Sequence, residues 1–310
     1  MNRTLLTAAL SVLGVAAAQV AYPASNYARL TGGTAASATA STTSVRVGGG
    51  TVTVTTAGGL AARFAYSGPT DDTASAARAL IATETDMDAP VTAAQAKQLA
   101  GAFDKIRAQV LGKGPVPLGF ADGLDFTLDW TASRLTFTVA PHEYTGFGAD
   151  RYVLGKGGPV IREFSDFQCP YCRELHDDVF PALQRDLIGK GLARFSYRHF
   201  PLSFHQNAMP LALGGECAAQ QGKFWAYHDV AFTVTSPVTA AKQLGLNLTT
   251  FQTCLKDPAV QALVKADMKV GDAVDVQGTP SLYVGPFKVQ NWTDAASIGN
   301  YVKLVTALGK

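Results

Sequence analysis

Residues 163–172 read EFSDFQCPYC. Two cysteines, Cys169 and Cys172, stand two residues apart with Pro170 and Tyr171 between them, just after the apolar run VIREF at 160–164. Three chemistries compete for such a pair: a metal clip, a structural staple and a redox centre. A structural zinc site takes four ligands, usually completed by a second C-x-x-C or a spaced His pair. The other two cysteines, Cys217 and Cys254, are too far apart in the chain to form such a pair. His176, four residues after Cys172, is the one point in favour of metal, and no metal centre is expected. A disulfide between near neighbours closes a loop too small to constrain the unfolded chain much. The redox reading accounts for the surroundings. A short buried strand delivers Cys169 to the start of a helix expected over 170–188, where free backbone N–H groups and the helix dipole stabilise a thiolate. The thiolate is the attacking species, and its pKa falls at such a place. Cys172, one turn further in, is placed to resolve a mixed disulfide. Pro170 suits the first helical turn, where its missing N–H is not needed.

The chain on the C-terminal side of the motif keeps an alternating rhythm. LARFSYRHF (192–200) reads as a second strand. A helix rich in Ala and Leu is expected over 205–229, and more helical stretches over 238–271. VQGTPSLYV (276–284) and FKVQ (287–290) read as strands, and a last helix is expected over 294–308. Strand, helix, strand, several helices, hairpin and helix is an α/β order. Gly278-Thr279-Pro280 opens the first of the late strands. A lone Thr-Pro is a turn before a strand. Beside a C-x-x-C it has a second reading: an X-Pro bond is cis at little cost, and a cis Pro280 would turn Thr279 outward to offer its N–H and C=O to an extended substrate chain near Cys169.

The first 168 residues hold no cysteine and no chemical motif. TGGTAASATASTT (31–43) is of low complexity and reads as loop. Val45, Val47, Val52 and Val54 alternate with small or polar residues around a Gly run, and 60–66 follows Gly58-Gly59; these are strand and hairpin signals. Helices are expected over 73–85 and 92–111, the second with Ala96, Leu99, Ala100, Phe103, Ile106, Val110 and Leu111 at helical spacing. GKGPVPLG (112–119) breaks it. LDFTLDW (124–130) and RLTFTVA (134–140) alternate with period two and read as a hairpin. Residues 25–145 are thus expected to form a small α+β domain. Asp71-Asp72 and Asp86-x-Asp88 sit at helix ends, where acidic residues cap helices.

At the N-terminus, Arg3 precedes an apolar stretch from Leu5 and Leu6, and Ala16-Ala17-Ala18 offers a small-residue cleavage site. Residues 1–18 read as a secretory signal peptide, and no later segment is long and apolar enough to cross a bilayer. A soluble protein outside the cytoplasm, periplasmic or extracellular, is expected. Four cysteines, an even number, suit an oxidising compartment. The composition, 47% hydrophobic and 16% charged with a formal charge of +2, is that of a globular chain. The balance is too even to favour nucleic acid as a partner.

EFSDFQCPYC, RHFPLSFHQNA (198–208), ECAAQQGKFWAYHD (216–229) and VQGTPSLYVG (276–285) occur in an order that resembles the DsbA-like thioredoxin family, in the branch of exported thiol-disulfide oxidoreductases that includes the BdbD-like proteins. The resemblance covers roughly 150–310. It implies an α/β thioredoxin fold with an inserted helical domain at about 205–271, preceded by the small α+β domain, which has no recognised counterpart and no assigned role. It implies Cys169 as nucleophile, Cys172 as resolving thiol, Pro170 and Tyr171 as the dipeptide that tunes redox poise, and Thr279 with a cis Pro280 as the client-binding strand. Glu163 matches the family's acidic residue below the cysteines and would carry protons for Cys172. His176 stands where some relatives carry an acid. No cofactor is implied beyond the redox-active Cys169–Cys172 disulfide. The implied partners are client proteins with thiols or disulfides and a membrane protein that recycles the pair. Cys217 and Cys254 are candidates for a second, structural disulfide; two buried free thiols and a regulatory disulfide are the alternatives. CPYC also occurs in glutaredoxins, so the motif alone does not separate oxidase, isomerase and reductase, and disulfide formation is the expected direction. The competing class is a non-catalytic binding or chaperone module on a thioredoxin scaffold. An intact CPYC beside a Thr-Pro argues against it. His142, His199, His205 and His228 are read as structural, and Phe224, Trp225 and Tyr227 as core.

Overall fold

A computed structural model describes residues 27, 29, 31–39, 41–83, 91–121 and 123–310. The signal-type segment 1–18 and the Asp86/Asp88 pair lie outside the described residues. The chain divides into two compact units between Glu143 and Tyr144.

In the first unit, seven strands among the described residues form one antiparallel sheet in the order β1-β2-β3-β4-β7-β6-β5. They are β1 (Thr34–Ala38), β2 (Thr42–Val47), β3 (Gly50–Ala57), β4 (Leu60–Pro69), β5 (Val116–Ala121), β6 (Leu124–Trp130) and β7 (Arg134–Pro141). The period-two pattern explains the core: Leu124, Phe126, Leu128 and Trp130 are buried, as are Leu135, Phe137 and Val139, while the intervening residues are more exposed. Register pairs Leu128 with Phe137 and Val45 with Val52, which stacks the buried side chains across neighbouring strands. Two helices, Thr73–Ile81 and Ala93–Val110, accompany the sheet. Asp72 caps the first by accepting the Ser75 N–H at 3.1 Å. Thr92 and Gln95 form a reciprocal capping box on the second. Two readings need correction. The segment read as loop contains β1, whose backbone pairs with β2; main-chain hydrogen bonding needs no apolar pattern. The breaker at 112–119 runs into β5, an edge strand with a register shift between Pro117 and Gly119, the place a sheet tolerates proline.

The second unit holds a five-stranded sheet in the order β12-β11-β9-β10-β8. β9 (Val160–Ser165) lies parallel to β10 (Arg194–His199), and β8 (Val153–Leu154), β11 (Ser281–Val284) and β12 (Phe287–Lys288) are antiparallel to their neighbours. β8 was not anticipated, because two residues carry no periodicity. Tyr144 belongs to this unit: its N–H bonds Pro286 O at 2.9 Å and its ring meets Tyr283 edge-on at 5.2 Å. The division therefore falls slightly before the expected 145. A helix over 170–188 links β9 to β10. Its Leu175–Val179 and Gln184–Ile188 stretches have the wider π spacing, the first ending beside Pro181, which has no N–H to give to the ordinary ladder.

The helix expected over 205–229 is two helices, Ala208–Gln220 and Phe224–Ala231. Gly222, at φ +71°, turns the chain between them in the left-handed region that favours glycine. Pro237–Gln243, Leu248–Cys254 and Pro258–Ala273 complete the insertion. The last two start at Asn247 and Asp257, whose side chains accept N–H groups of the first turn. The hairpin β11–β12 and the helix Ala295–Ala307 close the unit. This is a thioredoxin fold with helices inserted between β10 and β11. The Thr279–Pro280 bond is cis.

Candidate active site

β9 is the central strand of its sheet and is buried along most of its length. It ends at Ser165, and four residues later Cys169 caps the 170–188 helix from an extended conformation, with Pro170 in the first turn. The Cys169 N–H donates to Asp166 O at 3.0 Å, closing the turn that aims the side chain. The Cys169 thiol donates to Thr279 O at 3.3 Å, across 110 residues of chain. Pro280 follows at the start of β11. Cys172 is fully buried and its sulfur accepts the Asp166 N–H at 3.5 Å. Cys169 itself is 4% exposed, whereas Tyr171 is 60% exposed and meets the Trp292 ring edge-on at 6.4 Å. The two thiols are free.

The two sulfurs differ sharply in proton affinity. The Cys169 pKa is lowered by a hydrogen bond from the Cys172 thiol, then by the side-chain hydroxyl of Thr279 and the N–H groups of Cys172 and Tyr171, which together outweigh partial burial. The Cys172 thiol is pushed up by burial, by donating to Cys169 and by the nearby charge of Glu163. At neutral pH these shifts favour a thiolate at Cys169 and a thiol at Cys172. Such an arrangement can attack a disulfide, or accept attack and release a stabilised leaving group.

Glu163 lies on β9, 3% exposed, and burial pushes its carboxyl up to about 7. Glu163 Oε1, Ser165 Oγ and Tyr197 OH have no hydrogen bond of proper length and angle, although the Ser165 hydroxyl lies near enough to Glu163 and Cys172 to favour their charged forms. Ser165 is two residues along from Glu163, on the same side of the strand, and Tyr197 is the register partner of Glu163 on β10. Sequence reading missed both. The spacing from Glu163 could have pointed to Ser165, whereas Tyr197 depends on strand register.

Asp166 was also missed. Its carboxylate accepts the N–H groups of Gln168 at 2.8 Å and Leu202 at 2.9 Å, and His205 Nδ1 at 2.7 Å. His205, read as structural, fastens the turn that carries the cysteines. Below β10, Arg198 pairs with Asp267 at 3.2 Å, and His199 Nε2 lies 3.4 Å from Glu216 Oε1. The Glu216 carboxyl is held low by His199, Arg151 and Tyr152 in spite of its burial. Cys217 and Cys254 are joined as a disulfide with Cα atoms 5.7 Å apart. Phe224 stacks on Tyr152 at 3.6 Å, and Tyr227 is buried with its hydroxyl on Leu211 O at 3.0 Å. An apolar hollow in the first unit, bounded by Leu80, Leu99, Phe103, Phe126 and Phe137 among others, has no titratable side chain on its wall and offers no chemistry.

The family described as Thioredoxin matches residues 155–303. Disulfide bond formation protein D of Bacillus subtilis is 30% identical over 159 residues, 46% of this chain and 71% of that protein. Na(+)/H(+) antiporter NhaA 3 of Salinispora tropica is 30% identical over 144 residues, and the chain spans only 22% of that protein's length. Among solved structures, oxidised BdbD from Bacillus subtilis is similar over 54% of this chain and 99% of its own, at 24% identity and a TM-score of 0.48.

Proposed function

We propose, from the premise that this chain belongs to the DsbA-like family of thioredoxin-fold thiol-disulfide oxidoreductases, that it is an exported oxidant handing its Cys169–Cys172 disulfide to thiols of client proteins. The opposite proton affinities of the two sulfurs carry this reading. Stabilising the Cys169 thiolate stabilises the reduced form, and a pair with a stabilised reduced form gives up its disulfide readily. A client thiolate attacks Cys169 Sγ; the Cys169–Cys172 bond breaks, and Cys172 leaves with the electron pair and takes a proton. Glu163, with a pKa of about 7 and its charge felt at Cys172, is suited to supply that proton. A second client thiolate attacks the client's sulfur in the mixed disulfide and releases Cys169 as thiolate. The client has gained a disulfide, and two electrons rest on Cys169 and Cys172. Thr279, whose carbonyl lies 3.3 Å from Cys169 Sγ, is suited to meet the client backbone there. Reoxidation passes the two electrons to a membrane partner. Export is supported by Arg3 with its apolar and small-residue sequel, and by the Cys217–Cys254 disulfide.

The deciding experiment is the reduction potential of the Cys169–Cys172 pair against glutathione. A potential between about −120 and −180 mV is expected of an oxidant, and one near about −270 mV would make the protein a reductant. Cys172→Ser is expected to accumulate mixed disulfides with client proteins through Cys169. Failure to trap any client in the exported compartment would favour the non-catalytic binding module.

A further inference from the structure

His176, on the helix that carries the cysteines, and His228 and Asp229, on the helix Phe224–Ala231, converge where the two helices meet. One donor atom from each lies within 4.8 Å of the others. His176 Nε2 is 3.6 Å and His228 Nδ1 is 3.1 Å from the same oxygen, Asp229 Oδ1. Ligands bound at roughly 2.0–2.2 Å in a tetrahedron stand roughly 3.3–3.6 Å apart, so these two separations lie close to those of a shared metal ion.

The surroundings suit such an ion. His176 Nδ1 is engaged by Asp177 Oδ1 at 2.8 Å, and Asp177 is held by Arg173 Nε at 3.2 Å. A carboxylate on the far nitrogen of an imidazole orients the ring and raises its basicity as a ligand. His228 is buried, its ring against Trp225 at 5.1 Å, Tyr197 at 5.2 Å and Phe232 at 5.3 Å, which fixes its place. Asp229, with its side chain 62% exposed, opens the site to solvent and leaves a position for water. Two imidazoles and one carboxylate prefer first-row divalent metals over calcium or magnesium, which favour all-oxygen sets.

We propose that His176, His228 and Asp229 form a binding site for a divalent transition metal, zinc above all, with three protein ligands and one open position. The site uses no cysteine.

The test uses the tag-free, chelator-stripped chain with Cys169 and Cys172 oxidised to the disulfide, so that no thiolate competes for metal. Zinc titration by calorimetry is expected to give one ion per chain, and cobalt(II) the visible absorption of a four-coordinate ion. Asp229→Asn and His176→Gln change partly exposed side chains, and each is expected to weaken zinc binding at least tenfold with an unchanged far-UV circular dichroism spectrum. Absence of saturable binding to the parent chain, or binding that survives either substitution, would overturn the proposal. In that case Asp229 would serve only as a hydrogen-bond acceptor between two imidazoles.

Discussion

Cys169 and Cys172 are two residues apart yet sit in opposite electrostatic surroundings. Cys169 receives hydrogen bonds at a helix start, whereas Cys172 is closed off by burial. In the reduced protein, Cys169 has its pKa lowered to about 5. Its alkylation by iodoacetamide is therefore expected to be nearly independent of pH above about 6 and to fall about tenfold per unit below about 5, since only the thiolate reacts. A midpoint near about 8.5, that of an ordinary cysteine, would remove the basis for an oxidant. Glu163 shifts the other way. Burial raises its folded pKa to about 7, so its contribution to stability is full below the ordinary carboxyl pKa and is lost as pH climbs through about 7. The loss amounts to on the order of 3 kcal/mol. Glu163→Gln removes the titration. Urea unfolding of the oxidised protein should show the variant gaining on the parent between about pH 4.5 and 8; parallel pH profiles would contradict the assignment.

At the scale of elements, the disulfide ties the Ala208–Gln220 helix to the end of Leu248–Cys254 and closes a 37-residue loop. In the chain-entropy view, replacing both Cys217 and Cys254 by Ala costs about 4 kcal/mol. Unfolding in urea should report that loss with the Cys169–Cys172 pair held in one redox state; a cost under about 1 kcal/mol would mean that packing alone holds these helices. The insertion surrounds a core of Phe167, Tyr197, Leu211, Phe224, Tyr227 and Phe251 that also contains Cys169 and Cys172. The helices are thus packed into the same core as the C-x-x-C pair.

Over the whole molecule, each unit has its own sheet and its own buried side chains. Phe164, Tyr197, Tyr283 and Phe287 are among the largest fully buried groups of the second. Residues 144–310 expressed alone are therefore expected to unfold cooperatively and to keep the low Cys169 titration, read by circular dichroism and by alkylation rate. Loss of that titration in a folded fragment would show that the first unit tunes the site.

What the sequence determined by itself was local. The C-x-x-C at a strand-to-helix junction, the alternation of strands and helices over 160–310, and the alternating hairpin at 124–140 rest on contacts a few residues apart, where side-chain period and turn chemistry are written directly in the chain. The short or proline-bearing strands β1, β5 and β8 escaped because their stability comes from backbone pairing with partners and carries little side-chain pattern. Only the tertiary structure decided that Tyr197 stands beside Glu163 and that His205 fastens Asp166. It also brought His176 to His228 and Asp229 from separate helices. Those neighbours are chosen by sheet register and helix packing, whose energy is spread over many buried contacts and leaves no short-range mark in the sequence.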